Sequence, residues 1–199
     1  MEPGRIGFKC FLEQGHDIAL GEFIPVFHRW IQTRALDEML IDVADYGHVV
    51  DGPGVLLVAH AGNYSLDEAG GERGLVYYSK RGLEGPLATR LETVLTRLLQ
   101  AALALEEAAE LAGRLRFTAT RLHCFVNDRL LAPNTAATHE RLEPVLNGLC
   151  SRLYGPEAFT LARDPDPKQR YAVTVTGPQN ASLAGLGERL EAYRAGERP

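Results

Sequence analysis

The sequence has few of the features that mark exported, membrane-spanning or disulfide-rich proteins. Its 199 residues include three cysteines, Cys10, Cys124 and Cys150, and no Cys-x-x-Cys pair that would indicate a zinc or redox site. No uninterrupted apolar run is longer than the one at residues 55–59, whereas a membrane helix needs about 20 apolar residues. The first residues show no signal-peptide pattern. We therefore expect reduced, buried thiols in a cytoplasmic protein with no membrane partner.

Basic residues are fewer than acidic residues. Lysine and arginine number 21 against 26 aspartates and glutamates, which gives a net charge of −5 and a pI near 5.7. Proteins that bind nucleic acid generally carry an excess of basic residues, so we expect no nucleic-acid partner. A chain of this length can bury about 70% of its unfolded surface in one core. The fold therefore requires no metal or disulfide, and we expect no cofactor.

Hydrophobic periodicity predicts both strands and helices in the first half of the chain. Alternation predicts a strand at 6–12, and spacing at i, i+4 and i+7 predicts a helix at 21–34. Three further strands are predicted at 39–49, 55–60 and 74–80. Glycine-rich turns separate these three strands, which predicts a three-stranded meander.

The second half repeats this mixture of elements. Helical spacing predicts a long helix at 86–112 and another at 142–153, followed by a closing hairpin between 159–162 and 171–176. Residues 115–127 fit either a tight hairpin or one bulged strand. Hairpins outnumber strand–helix–strand units, so we predict an α+β fold with a mainly antiparallel sheet and two to three helices packed on one face.

The domain organisation follows from these elements. We expect one compact domain over 1–177, or two fused halves at 1–84 and 85–177. Residues 178–199 are predicted to form a C-terminal amphipathic tail, because one helical stripe carries Leu183, Leu186, Leu190 and Tyr193. A free helix of this length is unstable in water, so we expect the tail to fold against the body or against a neighbouring subunit.

A catalytic arrangement depends on how the meander pairs. If Val50 pairs with Val55, Asp45 lies opposite His60, and continuing the register places His60 opposite Ser79. A carboxylate that orients an imidazole, which in turn activates a hydroxyl, is the arrangement of nucleophilic hydrolases. The same register turns five apolar residues toward the core: Ile41, Val43, Val58, Leu75 and Tyr77.

Three functions remain open from the sequence. The first is a non-catalytic protein that binds a partner protein or a small ligand, or forms a homo-oligomer, with Asn63, Tyr64 and His48 as ligand-binding candidates. The second is a hydrolase-like enzyme that uses Asp45, His60 and Ser79, which we call the catalytic row. The third is a metal-binding protein that uses His48 and His60, although their spacing matches no known ligand pattern. We favour the first, because no catalytic motif of high specificity is present.

Overall fold

A computed structural model describes residues 3–50, 52–80 and 83–196. The described residues form one eight-stranded antiparallel sheet and four α-helices, which confirms the predicted α+β class. The strands are β1 (Ile6–Gln14), β2 (Leu40–Tyr46), β3 (Gly54–Ala59), β4 (Gly62–Asp67), β5 (Gly74–Ser79), β6 (Arg116–Val126), β7 (Thr160–Arg163) and β8 (Ala172–Thr176). The helices are α1 (Phe23–Thr33), α2 (Leu87–Glu106), α3 (Ala136–Tyr154) and α4 (Leu183–Arg194).

The sheet is continuous across both halves of the chain. Its strand order is β2-β3-β4-β5-β1-β6-β8-β7, so the first strand lies between β5 and β6. The N-terminal half supplies the strands on one side of β1, and the C-terminal half supplies those on the other side. The two halves therefore share β1 as a central strand.

The main core lies between one face of the sheet and the helices. Helix α2 contributes Leu91, Leu95 and Leu98, which are at most 3% exposed, and α1 contributes the fully buried Phe23 and Phe27. A second, small apolar cluster on the other face consists of Val76, Phe125 and Ala172 with Tyr78 packed against them. No described helix residue belongs to that cluster, and we call this side of the sheet the open face.

The C-terminal segment lies on the body of the protein. Helix α4 packs against α2 and α3 and buries its apolar stripe at Leu183, Leu186 and Leu190. Its N-cap is Ser182, whose hydroxyl accepts a hydrogen bond from the Gly185 N–H at 3.2 Å. Within the described ranges, no helix has both the length and the apolar character needed to cross a bilayer.

The meander contains four strands rather than the expected three, because residues 60–61 form a turn between β3 and β4. His60 and Ala61 are not strong turn formers, so the sequence carries little local signal for this turn. A distant carboxylate stabilises it instead, since Glu38 accepts a hydrogen bond from the Ala61 N–H at 2.9 Å. The reversal is therefore fixed by tertiary contact.

The predicted register of the first hairpin is wrong. Asp45 pairs with Val55, and Tyr46 pairs with Gly54. The Asp45 carboxylate accepts a hydrogen bond from the Gly47 N–H at 2.8 Å, which starts a turn in residues that we assigned to the strand. The pairing also shifts near Leu40, where a bulge leaves Ile41 52% exposed.

Other core predictions have mixed outcomes. Leu75 and Tyr77 are fully buried beneath the helices, and Val43 packs partly against the same core. Val58 pairs with Asn63 on the open face and so does not face the helices. Residues 116–126 form the single strand β6, whose register with β1 shifts near Leu12, so the bulged-strand alternative is confirmed.

Candidate functional site

The structure does not bring the proposed catalytic row together. Asp45 lies opposite Val55, and His60 lies five residues further along, at a distance of about 16 Å in an extended strand. Ser79 pairs with Gly62 and is fully buried. Its hydroxyl accepts a hydrogen bond from the Ile6 N–H at 3.1 Å and lies within 3.3 Å of two carbonyl oxygens. Ser79 is therefore a bonded core residue that joins β5 to β1.

The two histidines of the metal-binding alternative lie at opposite ends of β3. His48 is in the turn before this strand and His60 follows it, so about 20 Å of extended chain separates them. Across the described ranges, no group of three His, Cys, Asp or Glu side chains is positioned to hold a metal ion. His48 lines a cavity of about 540 Å³ together with Arg73, but that guanidinium already donates to Glu68 at 2.7 Å.

Tyr64 belongs to a buried polar network beneath the helices. Its hydroxyl donates to Glu38 at 3.1 Å, and the Tyr77 hydroxyl donates to the same carboxylate at 3.3 Å. Arg97 donates to the Tyr77 oxygen at 2.6 Å and lies 3.6 Å from Glu38. Burial raises the pKa of both tyrosines, so both hydroxyls keep their protons. We call these four residues the Glu38 network, and its contacts are all internal.

Asn63 points in the opposite direction from Tyr64, because neighbouring strand residues alternate between faces. It lies on the open face with 7% exposure and donates from Nδ2 to the Tyr78 hydroxyl at 2.7 Å. Its Oδ1 atom is buried and has no hydrogen-bond partner among the described residues. The ligand-binding candidates Asn63, Tyr64 and His48 therefore occupy three separate environments.

Charged side chains gather in a row across the centre of the open face. Lys9 on β1 pairs in register with His123 on β6, which pairs with Thr174 on β8. Phe11 and Arg121 extend this group, and the strand-connecting segment before β8 adds Arg170. These residues line a cavity of about 210 Å³ together with Asp67, Ala69 and Glu72.

Two of the three cations in this cavity have carboxylate partners. Lys9 forms an ion pair with Asp67 and also donates to the Glu72 carbonyl at 2.6 Å. Arg121 forms an ion pair with Glu72 and stacks its guanidinium over the Phe11 ring, 3.8 Å from its centroid. The first pair is buried, whereas both members of the second are more than one-third exposed. Of these three cations, Arg170 is the one without a carboxylate in contact within the described part of the chain.

Arg170 is a half-buried cation with no anion in contact among the described residues. Its guanidinium lies over the Phe125 ring at 3.5 Å from the centroid, and it makes no hydrogen bond or ion pair to any described residue. Burial lowers the pKa of Arg170 from its ordinary value, while Asp67 at longer range raises it. An arginine keeps its charge even so. The guanidinium therefore offers several N–H donors to the cavity.

His123 is neutral and adds one further donor. Burial, followed by the positive charges of Arg170 and Lys9, lowers the pKa of His123 to about 4. Its Nδ1 atom and the Thr174 hydroxyl are 3.3 Å apart, a distance at which one hydrogen bond forms. A neutral imidazole and a hydroxyl carry one donor each, and this bond uses one of them. In either tautomer, one donor of the pair remains for another group.

Two glycines give these side chains their positions. A Cβ atom at Gly7 would overlap the ring of Phe125, so the glycine lets that ring lie across β1 beneath Arg170. A Cβ atom at Gly74 would overlap the Cys10 carbonyl and crowd the Lys9 side chain. Both positions need the space left by a missing side chain rather than an unusual backbone angle.

This site is not among the sites predicted from the sequence, although the sequence contains a signal for it. On β1 the residues that face away from the helices are Gly7, Lys9 and Phe11, and the matching residues of β6 are Arg121, His123 and Phe125. Cationic and aromatic side chains thus alternate with apolar core residues on two strands. The sequence does not give the pairing register of β1 with β6, which is what places these two sets of side chains next to each other.

Comparison with known proteins adds no family to this description. The sequence matches no family model and no curated protein.

Proposed function

We propose that the protein is a non-catalytic binding protein that takes a small anion into the cavity on the open face. The observation that carries the proposal is Arg170, whose half-buried guanidinium contacts an aromatic ring and has no anionic partner among the described residues. A charge removed from water without a partner is costly. A bound anion would supply that partner.

The charges around the cavity support an anionic ligand. Three cations and two carboxylates line it, and His123 is neutral, so one positive charge remains unbalanced in a protein whose net charge is −5. The low pKa of His123 has the positive charges of Arg170 and Lys9 among its causes. Positive charges are therefore in excess among the groups that line the cavity, which favours the binding of an anion at this place.

A thermal-shift titration tests the proposal. Sodium acetate and inorganic phosphate are added separately at constant ionic strength, with sodium chloride as the reference salt. We expect at least one of the two anions to raise the melting temperature of the wild type above the chloride value, because a ligand that binds only the folded state stabilises it.

Arg170→Met keeps an apolar side chain over Phe125 and should lose this response. Arg129→Met is the matched control, because Arg129 is exposed and does not line the cavity. The proposal is wrong if neither anion has more effect than chloride on the wild type, or if Arg170→Met responds as the wild type does.

A second candidate function is self-association through β2. This strand is at the edge of the sheet, and exposed apolar side chains concentrate on it and on the adjoining residues: Met39, Ile41, Tyr46, Val49 and Val50. A free edge with apolar side chains can pair with another strand. The solution mass of the wild type and of Ile41→Lys tests this. A dimer that dissociates in the variant supports it, and a monomeric wild type rejects it.

The three buried free thiols favour a reducing compartment as the setting of the proposed function. Burial raises the pKa of Cys10 and Cys150 to about 12, so neither thiol is reactive. We include the cytoplasm in the proposal on this ground.

A further inference from the structure

Resting on the anion-binding function proposed above, we infer that the ligand is a small monocarboxylic acid whose carboxylate binds between Arg170 and the His123–Thr174 pair. The inference follows from the charge that the cavity can neutralise, the donors that it can supply and the space that it contains. The charge and the donors each disfavour a dianionic phosphate monoester, and the space limits the size of the acid.

The cavity can neutralise a single negative charge. Lys9 cannot be released to serve a ligand, because its ion pair with Asp67 is buried, with side-chain exposures of 7% and 14%. Arg121 could separate from Glu72, since exposed ion pairs contribute little free energy. The Glu72 backbone would nevertheless stay in place through its carbonyl bond from Lys9 at 2.6 Å.

The Glu72 carboxylate therefore remains at the cavity wall whether or not it contacts Arg121. The charged groups that line the cavity therefore remain three cations and two carboxylates. A monoanion balances this excess, whereas a dianion would leave one negative charge without a partner in a half-buried site. Such a charge is disfavoured.

The available donors also match a carboxylate. A guanidinium presents its N–H groups as a planar fork that can donate to both oxygens of one carboxylate. The His123–Thr174 pair adds one donor in either tautomer. Three hydrogen bonds suit two carboxylate oxygens, but they leave the three terminal oxygens of a phosphate monoester largely unsatisfied.

The volume limits the ligand to a short acid. About 210 Å³ corresponds to the space of about seven water molecules. Typical sites for drug-sized ligands are larger, at about 300–1,000 Å³. The Phe11 ring and the Ala69 side chain give the cavity an apolar part. A carboxylate with a short aliphatic body fits these features.

Isothermal titration calorimetry with acetate, butyrate and methyl phosphate tests this inference on the whole chain. We expect acetate or butyrate to bind at least about tenfold more tightly than methyl phosphate near neutral pH. Carboxylate affinity should be constant between about pH 6 and 8, because neither the ligand nor His123 titrates there. Methyl phosphate should bind less tightly as it gains its second charge with a pKa of about 6.

Substitutions at Arg170 and Thr174 test whether these side chains bind the carboxylate. Arg170→Lys keeps the charge but loses the planar fork, so carboxylate affinity should fall. Thr174→Val removes the hydroxyl that orients the His123 imidazole, with little change of shape, and should also weaken binding. The exposed Arg129→Met should have no effect.

The possible results separate this inference from the proposed function. Tighter binding of methyl phosphate than of either carboxylate, increasing as the dianion forms, would overturn the carboxylate and leave anion binding intact. If none of the three probes binds, both are wrong. Carboxylate binding that survives in Arg170→Met would place the ligand elsewhere and would also overturn the inference.

Discussion

The two faces of the sheet each hold a group of charged and polar side chains, but the groups differ in whether their contacts are complete. Beneath the helices, the Glu38 carboxylate accepts hydrogen bonds from a backbone N–H and two tyrosine hydroxyls and lies 3.6 Å from Arg97. On the open face, Arg170 packs on Phe125, and no described residue places an anion in contact with it. Complete contacts indicate a structural role, and the proposed anion would complete the contacts on the open face.

Burial alone does not distinguish the two regions. The Glu38 side chain is 3% exposed, and the Lys9 side chain on the open face is 7% exposed. The difference is that Lys9 and Arg121 have carboxylates of the chain as partners, whereas Arg170 has none among the described residues. The comparison can therefore be tested by substitutions that remove one member of each group.

The largest effect is expected for Glu38→Ala. This substitution leaves two tyrosine hydroxyls and the Ala61 N–H without an acceptor and removes the partner of Arg97. We expect the free energy of unfolding to fall by about 3–5 kcal/mol, as measured by urea denaturation. Glu38→Gln should lose less, because an amide oxygen can still accept. A loss no greater than that of Glu110→Ala, which removes an exposed ion pair with Arg29, would show that the network is not structural.

The second-largest effect is expected on the free energy of unfolding as the pH is lowered. The pKa of His123 is about 4 in the folded protein and about 6.5 in the unfolded chain, so only the unfolded chain takes up a proton as the pH falls between these values. Stability should therefore decrease by at most about 3 kcal/mol from pH 6.5 toward pH 4. Denaturation of the wild type and His123→Gln over this range measures it. An equal loss in both proteins would contradict the assignment to His123.

An intermediate effect is expected for Gly7→Ala. The added methyl group meets the ring of Phe125 and should displace it, at a cost of about 1–3 kcal/mol in the free energy of unfolding. Gly148→Ala on the exposed side of α3 is the matched control, because its new methyl group meets no atom and should stabilise the helix. The same sign for both substitutions would mean that Phe125 is not held against β1 as described.

The smallest effect on stability is expected for Arg170→Met. The cation has no anionic partner in residues 3–50, 52–80 and 83–196, so its removal should leave the free energy of unfolding unchanged or raise it by about 1 kcal/mol. Arg152→Met offers the contrast, because it leaves the buried Glu92 without its ion pair and should be destabilising. Urea denaturation of both variants measures the difference. Similar losses in the two would indicate that Arg170 has a structural partner.

Much of the fold could be predicted from local periodicity. The apolar spacing of α2 and the alternation in β1 and β5 reflect one continuous buried face, which is a property of neighbouring residues. The turn at residues 60–61 could not be predicted in this way, because Glu38 holds it from outside the hairpin. The predicted register of the first hairpin is wrong because the Asp45 side chain accepts a hydrogen bond that starts the turn earlier than expected.

The candidate site was less accessible to sequence reasoning. Lys9, His123 and Arg170 are far apart in the chain, and they meet only because β1 lies between β5 and β6. The predicted ligand-binding candidates His48, Asn63 and Tyr64 are closer together in the sequence, yet the structure places them in three separate environments. A carboxylate contact, or the lack of one, is a property of the folded chain that composition cannot reveal.

The most direct test of the account is the pKa of His123, measured by NMR with and without trifluoroacetate, a small monocarboxylate that stays ionised at pH 4. An anion bound at Arg170 offsets a positive charge that lowers this pKa, so the account predicts a rise above about 4 in the wild type. No such rise should occur with chloride at equal ionic strength. If trifluoroacetate leaves the pKa of His123 unchanged at concentrations that saturate any binding of it detected by calorimetry, the anion does not bind beside Arg170 and the central claim is contradicted.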